Sequence, residues 1–235
     1  MTGSFADLRQ AVALANKEVA GAALVVHAFG NASEVDRDAG VFAIKPSGIA
    51  CGNVTADDIV VVALEDGSVV WGDNRPSADT PTHRILYNGL EKVGGVVHTH
   101  SLFATAWAQA RSPIPCLGTT HADHFNGPVP VTRPLTDDEI DGDYEENTGS
   151  VIVEMYSADG LDAMDSPGAL VASHGPFVWG EDASAAVEMA AALELIAQLA
   201  AHTLAIAPDR PPIETALLIR HFSRKHGPVA YYGQP

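Results

Sequence analysis

The chain has 235 residues, of which 46% are hydrophobic and only 18% charged, against roughly a quarter in an average soluble domain. That length fits one large domain with a well-filled core, expected to span residues 1–235. A formal net charge of −17 argues against nucleic acid and anionic membrane surfaces as partners, and any anionic substrate must then be held by local donors or a metal ion.

From the N-terminus, Met1 to Asp7 carry neither a basic nor an apolar leader pattern. Phe5 to Ala20 place Leu8, Val12, Ala15 and Val19 at helical spacing and predict a helix. Leu24 to Ala28 read as a short strand and Gly30-Asn31-Ala32-Ser33 as a turn. Val35 to Lys45 predict a hairpin that turns at Asp38-Ala39-Gly40 and stops at Pro46-Ser47-Gly48. A capped turn at Thr55–Asp58 precedes a second hairpin, Ile59–Leu64 with Ser68–Trp71. Pro76 to His83 form a loop entering a helix that runs to about Lys92, with Thr80 as the expected N-cap and Pro81 at the first helical position.

Gly94-Gly95 then break the chain before a strand, Val96 to His100, followed by a helix over Ser101–Gln109. Ile114–Leu117 read as a short strand, Gly118–His124 as a loop and Pro128–Leu135 as an extended piece. Tyr144–Tyr156 read both ways, with helix favoured by Thr148, Ile152 and Met155. Ala169–Ser173 predict a strand, Ala183–His202 a long helix, and Pro212–Lys225 a last helix closed by Gly227. The apolar stretch Met189–Ala207 is interrupted by Glu194, Gln198 and His202 at intervals of four, so it reads as a packed helix and not a membrane span. Cys51 and Cys116 lack C-x-x-C spacing and read as reduced thiols of a cytoplasmic protein. Hairpins followed by alternating strands and helices predict an α/β fold with helices on both faces of a mixed sheet.

The candidate chemistry centres on Val96-Val97-His98-Thr99-His100. Residues two apart on a strand share a face, so His98 and His100 aim their imidazoles at one point. His174 also stands at a predicted strand end, and Asp79 at the mouth of a loop before a helix. Three imidazoles and a carboxylate suit a catalytic zinc or manganese site. Taken singly, each has a plain structural reading: a hydrogen-bonded histidine, or a carboxylate at a helix start.

The motifs stand in one order: Gly30-Asn31-x-Ser33, Lys45-Pro46-Ser47-Gly48, Pro76-Ser77-x-Asp79-Thr80-Pro81-Thr82-His83, Gly95-x-Val97-His98-Thr99-His100-Ser101, Gly118-Thr119-Thr120-His121-Ala122-Asp123, Ser173-His174-Gly175-Pro176-Phe177, and the tail Arg224 to Gln234. Together they resemble the class II aldolase/adducin superfamily, and within it the branch of pentulose-phosphate 4-epimerases, over nearly the whole chain. The resemblance implies a three-layer α/β/α fold with a central mixed, mostly antiparallel sheet. It implies a divalent metal, usually zinc with manganese as the second choice, held at Asp79, His98, His100 and His174. It implies a phosphate cradle at Gly30, Asn31, Ser47, Gly48, Ser77 and Ala78, with Lys45 adding a positive charge. Acid/base residues are implied at Asp123 and Tyr232, the tyrosine reaching in from a neighbouring subunit of a homotetramer.

The implied substrates are L-ribulose 5-phosphate and D-xylulose 5-phosphate, and their chemistry accounts for this residue set. The C4 proton is not next to the C2 ketone, so its removal leaves a carbanion with nothing to delocalise into. Breaking the C3–C4 bond in a retro-aldol step gives an enediolate and an aldehyde instead, and re-addition to the other aldehyde face inverts C4. One residue takes the C4 hydroxyl proton and another returns it, and a metal supplies Lewis acidity.

Two departures stand out. Ala78 replaces the second serine usual in the family, a loss of about 1 kcal/mol of phosphate affinity if nothing replaces the hydroxyl. His124 and Asn126 stand where aromatic residues are usual. The alternatives are a class II aldolase or dehydratase acting on another phosphorylated sugar, an adducin-like scaffold, and a zinc hydrolase. Asp in place of Glu at position 79 argues against the first, the three histidines against the second, and the lack of His-Glu-x-x-His against the third.

Overall fold

A computed structural model describes residues 4–25, 29–226 and 230. In chain order the elements are α1 (Ala6–Gly21), β1 (Asn31–Asp36), β2 (Val41–Ile44), β3 (Val60–Ala63), β4 (Val69–Trp71), α2 (Thr80–Gly89), β5 (Gly95–His98), α3 (Leu102–Gln109), α4 (Thr119–Ala122), α5 (Asp137–Asp141), α6 (Tyr144–Asp159), β6 (Gly168–Val171), β7 (Gly175–Gly180), α7 (Ala183–Ile206) and α8 (Thr215–His226). The strands form one sheet in the order β4-β3-β2-β1-β5-β7-β6. Among the described residues, all six strand pairings are antiparallel. The parallel pairing that a mixed sheet requires is reduced to an isolated bridge, Val131 to Leu170.

Alternation along the strands builds three layers. Val97, Ala32 and Val178 face one side and pack with α1, α3 and α7. Val96, Phe177 and Trp179 face the other and pack with Leu86 and Tyr87 of α2 and Ile152 and Tyr156 of α6. Trp179 is fully buried, and its indole N–H donates to the Ala163 carbonyl at 2.7 Å. Burying a side chain of this kind contributes about 2–3 kcal/mol. A third cluster joins Val12 of α1 to Val41, Ala43 and Val61 at the β2–β3 end.

The hairpins, the helix over residues 144–159 and the long α7 match expectation. α7 is long and apolar enough to cross a membrane. Its inner face, including Ala186, Ala190, Leu193 and Ala197, packs into the core. Glu194 accepts the backbone N–H groups of Phe103 and Ala104 at 2.8 and 3.0 Å, so its carboxylate caps α3.

Several local expectations fail for identifiable reasons. Residues 31–33 carry turn-type side chains but form the start of β1, because Ala32 and Ser33 are buried and pair with Val97 and Val96 of β5. Leu24 and Val25 carry no strand, and residues 26–28 lie outside the described residues. Asp79, not Thr80, occupies the N-cap of α2, which ends at Gly89. Ile114 makes only an isolated bridge, to Val129. Gly118–His124 contains the turn of helix α4. β7 escaped notice because Gly175, Pro176 and Gly180 look like strand breakers, yet the strand pairs on both sides. α5 was missed too; its capping box joins Thr136 and Glu139. Gly227 and Tyr232 lie outside the described residues.

Candidate metal and substrate site

Strand register sets the floor of the site. Asn31 of β1, His98 of β5 and Phe177 of β7 are consecutive partners across the sheet. The His98 ring lies on the Phe177 ring, centroids 4.0 Å apart and planes 13° from parallel. Its Nδ1–H donates to the Pro176 carbonyl at 2.9 Å, which leaves Nε2 with its lone pair directed away from that bond. β5 ends at His98, yet His100 still points to the same place: the two Nε2 atoms are 3.1 Å apart. The β6–β7 turn brings in His174, helped by Ser173 in the left-handed region at φ 67°. Gly175, the first residue of β7, suits the close approach after this turn because a Cβ there would lie 3.0 Å from the Thr99 carbonyl oxygen.

The ligand atoms of His98, His100 and His174 all lie within 4.8 Å of one another. Two nitrogens bound to one tetrahedral ion at about 2.1 Å stand about 3.4 Å apart, so the cluster fits a divalent metal with little movement. Burial, the first cause for each, keeps the rings neutral: His98 is pushed down to about 3, and His100 and His174 also fall below the usual histidine range. Neutral imidazoles are the form that binds metal. His98 is buried, His174 half-buried and His100 exposed, so the cluster opens to solvent on one side, as a catalytic site requires. Tyr144, which sequence reasoning missed, puts its hydroxyl 3.3 Å from His174 Nδ1 and orients that ring. Phe29, also missed, stacks near His100 at 6.2 Å on the rim.

A cavity of about 400 Å³ holds the cluster, and it is also lined by Gly30, Asn31, Lys45, Ser47, Gly48, Ser77, Ala78 and Asp79. Every metal and substrate residue expected from the sequence therefore meets here; Asp123 does not line this cavity, and Tyr232 lies outside the described residues. The loops are zipped together by Ser77 N–H to Lys45 O at 3.0 Å and Ser47 N–H to Arg75 O at 2.9 Å. Gly30 has φ +84°, and a Cβ would meet Val25 at 2.6 Å and the His98 carbonyl at 2.9 Å, so only glycine fits. Ser77 and Ala78 lie just before the N-terminus of α2, the positive end of its dipole.

Three details differ from expectation. The Asn31 amide N–H groups are taken by Asp79 Oδ2 at 2.6 Å and Ser77 Oγ at 3.2 Å, and its Oδ1 is buried without a partner among the described residues. Asn31 thus offers an acceptor, not the phosphate donor anticipated. Lys45 is buried, with Nζ donating to the carbonyls of Ile49 at 2.7 Å and Pro46 at 3.1 Å, and burial lowers its pKa. Asp79 lines the cavity but stands outside the tight cluster of three histidines. Burial works against its charge, but His98, His83 and the Asn31 amide hold it below the ordinary carboxylate range.

Asp123 closes α4 and is gripped by α8 of its own chain. Arg224 donates to it at 2.8 and 3.1 Å, and His221 Nδ1 lies 3.0 Å away. Burial raises its pKa, but Arg224 and His221 more than offset this and hold the carboxyl below its usual range.

Residues 10–201 match the family model described as the class II aldolase and adducin N-terminal domain. The L-ribulose-5-phosphate 4-epimerase UlaF of Salmonella paratyphi C (strain RKS4594) is 49% identical over 227 residues, covering 97% of this chain and 98% of its own. The protein of the same name from Salmonella typhi matches to the same extent. Among solved structures, an L-fuculose 1-phosphate aldolase superposes with a TM-score of 0.78 at 23% identity, covering 94% of this chain and 99% of its own. YgbL of Escherichia coli, a putative aldolase/epimerase/decarboxylase, superposes with a TM-score of 0.71 at 25% identity, covering 93% and 99%. The chain belongs to the class II aldolase/adducin family.

Proposed function

We propose that the chain is an L-ribulose-5-phosphate 4-epimerase, one catalytic domain that interconverts L-ribulose 5-phosphate and D-xylulose 5-phosphate in the cytoplasm. The observation that carries this reading is the cavity that joins three convergent imidazoles to a row of phosphate-type donors. The near full-length likeness to a protein named for that activity supports it.

His98, His100 and His174 would hold a divalent ion, with Asp79 as the fourth candidate ligand. The nitrogen-rich, neutral donor set favours zinc, with manganese second. A bound ion supplies Lewis acidity to the oxygens beside the breaking bond. Ser47, Gly48, Ser77 and the Ala78 backbone take the phosphate at the head of α2, with Gly30 allowing close approach and Lys45 adding charge. Asn31 Oδ1 accepts from a sugar hydroxyl. Asp123, held ionised by Arg224, is the base that takes the C4 hydroxyl proton as C3–C4 breaks. Tyr232 returns that proton on the opposite face. That Asp123 does not line the described cavity of its own chain supports a site shared across subunits of a homotetramer. Exposed Leu102, Leu195, Leu199 and Ile206 on α3 and α7 support such an assembly.

A coupled assay for D-xylulose 5-phosphate formed from L-ribulose 5-phosphate tests this directly. Turnover is expected, lost on treatment with a chelator and restored by zinc. A metal-loaded chain that forms no product contradicts the reading.

A further inference from the structure

Among the described residues, four non-glycine residues have positive φ, and two of them meet next to a histidine of the cluster. Arg111 has φ 52° and Ser173 has φ 67°. The Arg111 Nε–H donates to Ser173 Oγ at 2.9 Å, across 62 positions of sequence. Left-handed backbone costs free energy for a residue with a Cβ, so two such residues in contact call for a reason.

Arg111 closes α3. Its N–H donates to the Ala108 carbonyl at 3.0 Å, and the Ser112 N–H donates to the Trp107 carbonyl at 3.3 Å. That pair of bonds is the Schellman helix end, whose left-handed position is usually glycine. Here a long charged side chain stands in that position. Ser173 precedes His174 in the turn between β6 and β7, and its N–H donates to the same Ala108 carbonyl at 2.8 Å. One backbone bond and one side-chain bond therefore tie the turn to the end of α3. The other end of α3 starts two residues after His100. Glu194 pins that end to α7, and the Trp107 indole N–H donates to the Ala197 carbonyl at 3.0 Å. A pinned helix thus connects His100 to His174, whose rings stand 5.1 Å apart. The Arg111–Ser173 bond is exposed, so global stability gains little from it.

We propose that Arg111 is a positioning residue whose bond to Ser173 holds the left-handed turn that aims His174 at His98 and His100. The inference rests on the reading of these three histidines as the metal site. Neither Arg111 nor Ser173 lines the cavity, so both act through His174.

The test uses the full chain and three measurements: zinc affinity by competition with a chelator, the urea midpoint without metal, and amide exchange at Ser173 without metal. Arg111→Gly suits the helix end but removes the donor. It should keep or raise the urea midpoint, speed exchange at Ser173 about tenfold and weaken zinc binding about tenfold. A purely structural role would move stability and affinity together. Arg111→Gln puts an amide N–H the same number of bonds from the backbone as Nε. It should bind zinc within about threefold of wild type and keep Ser173 protected. In a Ser173→Ala background, which lacks the acceptor, Arg111→Gly should cost nothing further. Unchanged exchange in Arg111→Gly, equal zinc losses for Gly and Gln, a zinc loss matched by a lower urea midpoint, or an undiminished loss in the Ser173→Ala background each overturn the proposal. A wild type that binds no zinc overturns the metal reading alone, because exchange at Ser173 and its response to Arg111→Gly are read without metal.

Discussion

At the scale of single residues, the site works by keeping three imidazoles neutral and aimed. Burial removes their charge, the Pro176 carbonyl fixes the tautomer of His98, and Tyr144 orients the His174 ring. His98→Asn or His174→Asn should therefore abolish metal binding and activity while circular dichroism stays unchanged. Stoichiometric metal in either variant, by elemental analysis, contradicts the assignment. Tyr144→Phe keeps the ring stack but loses the hydroxyl, and should weaken zinc affinity by roughly tenfold. An unchanged affinity would mean that His174 is held by packing alone. The histidines were legible in the sequence because their spacing is short and their residue type is chemically distinctive. Tyr144 was not, because it meets His174 from 30 residues away in the chain. Asn31 was legible as a site residue but not in its role. Only the register beside His98 shows that its N–H groups are spent on Asp79 and Ser77.

At the scale of elements, periodicity located α1, α7 and the hairpins, because those patterns are local. The start of β1 and all of β7 were hidden, because Gly, Asn, Ser and Pro there are overruled by pairing on both sides. The short α4 also escaped. It carries His121, whose Nε2–H donates to the Gly127 carbonyl at 2.9 Å. Burial pushes His121 down to about 4 from its ordinary 6.5. On acidification the unfolded chain takes up the proton first. The stability tied to the neutral ring is complete above about 6.5 and is lost progressively as pH falls toward about 4. Buried His83, also held at about 4, acts in the same direction. Urea midpoints of the metal-free chain should fall across this window. His121→Gln keeps a donor to Gly127 without the titration and should flatten the slope. An unchanged slope would show that His121 does not contribute.

At the scale of the whole molecule, the sheet carries the cavity at the end of β5, while Asp123 sits apart under α8. That separation supports the proposal that each site is completed from more than one chain. Asp123→Asn and Tyr232→Phe should each be nearly inactive. In a head-to-tail ring formed from equal amounts of both, about a quarter of the sites would combine an intact Asp123 with an intact Tyr232. Co-expressed, doubly tagged oligomers should recover about that fraction of wild-type activity. Recovery no better than the parents would place both residues in one subunit's contribution or remove Tyr232 from the chemistry.

If C4 is inverted by breaking and remaking C3–C4, C4 keeps its own hydrogen. Converting L-ribulose 5-phosphate in heavy water and examining the D-xylulose 5-phosphate by mass spectrometry tests this most directly. Product with no deuterium at C4 is expected. Deuterium at C4 would contradict it and point to proton transfer at that carbon.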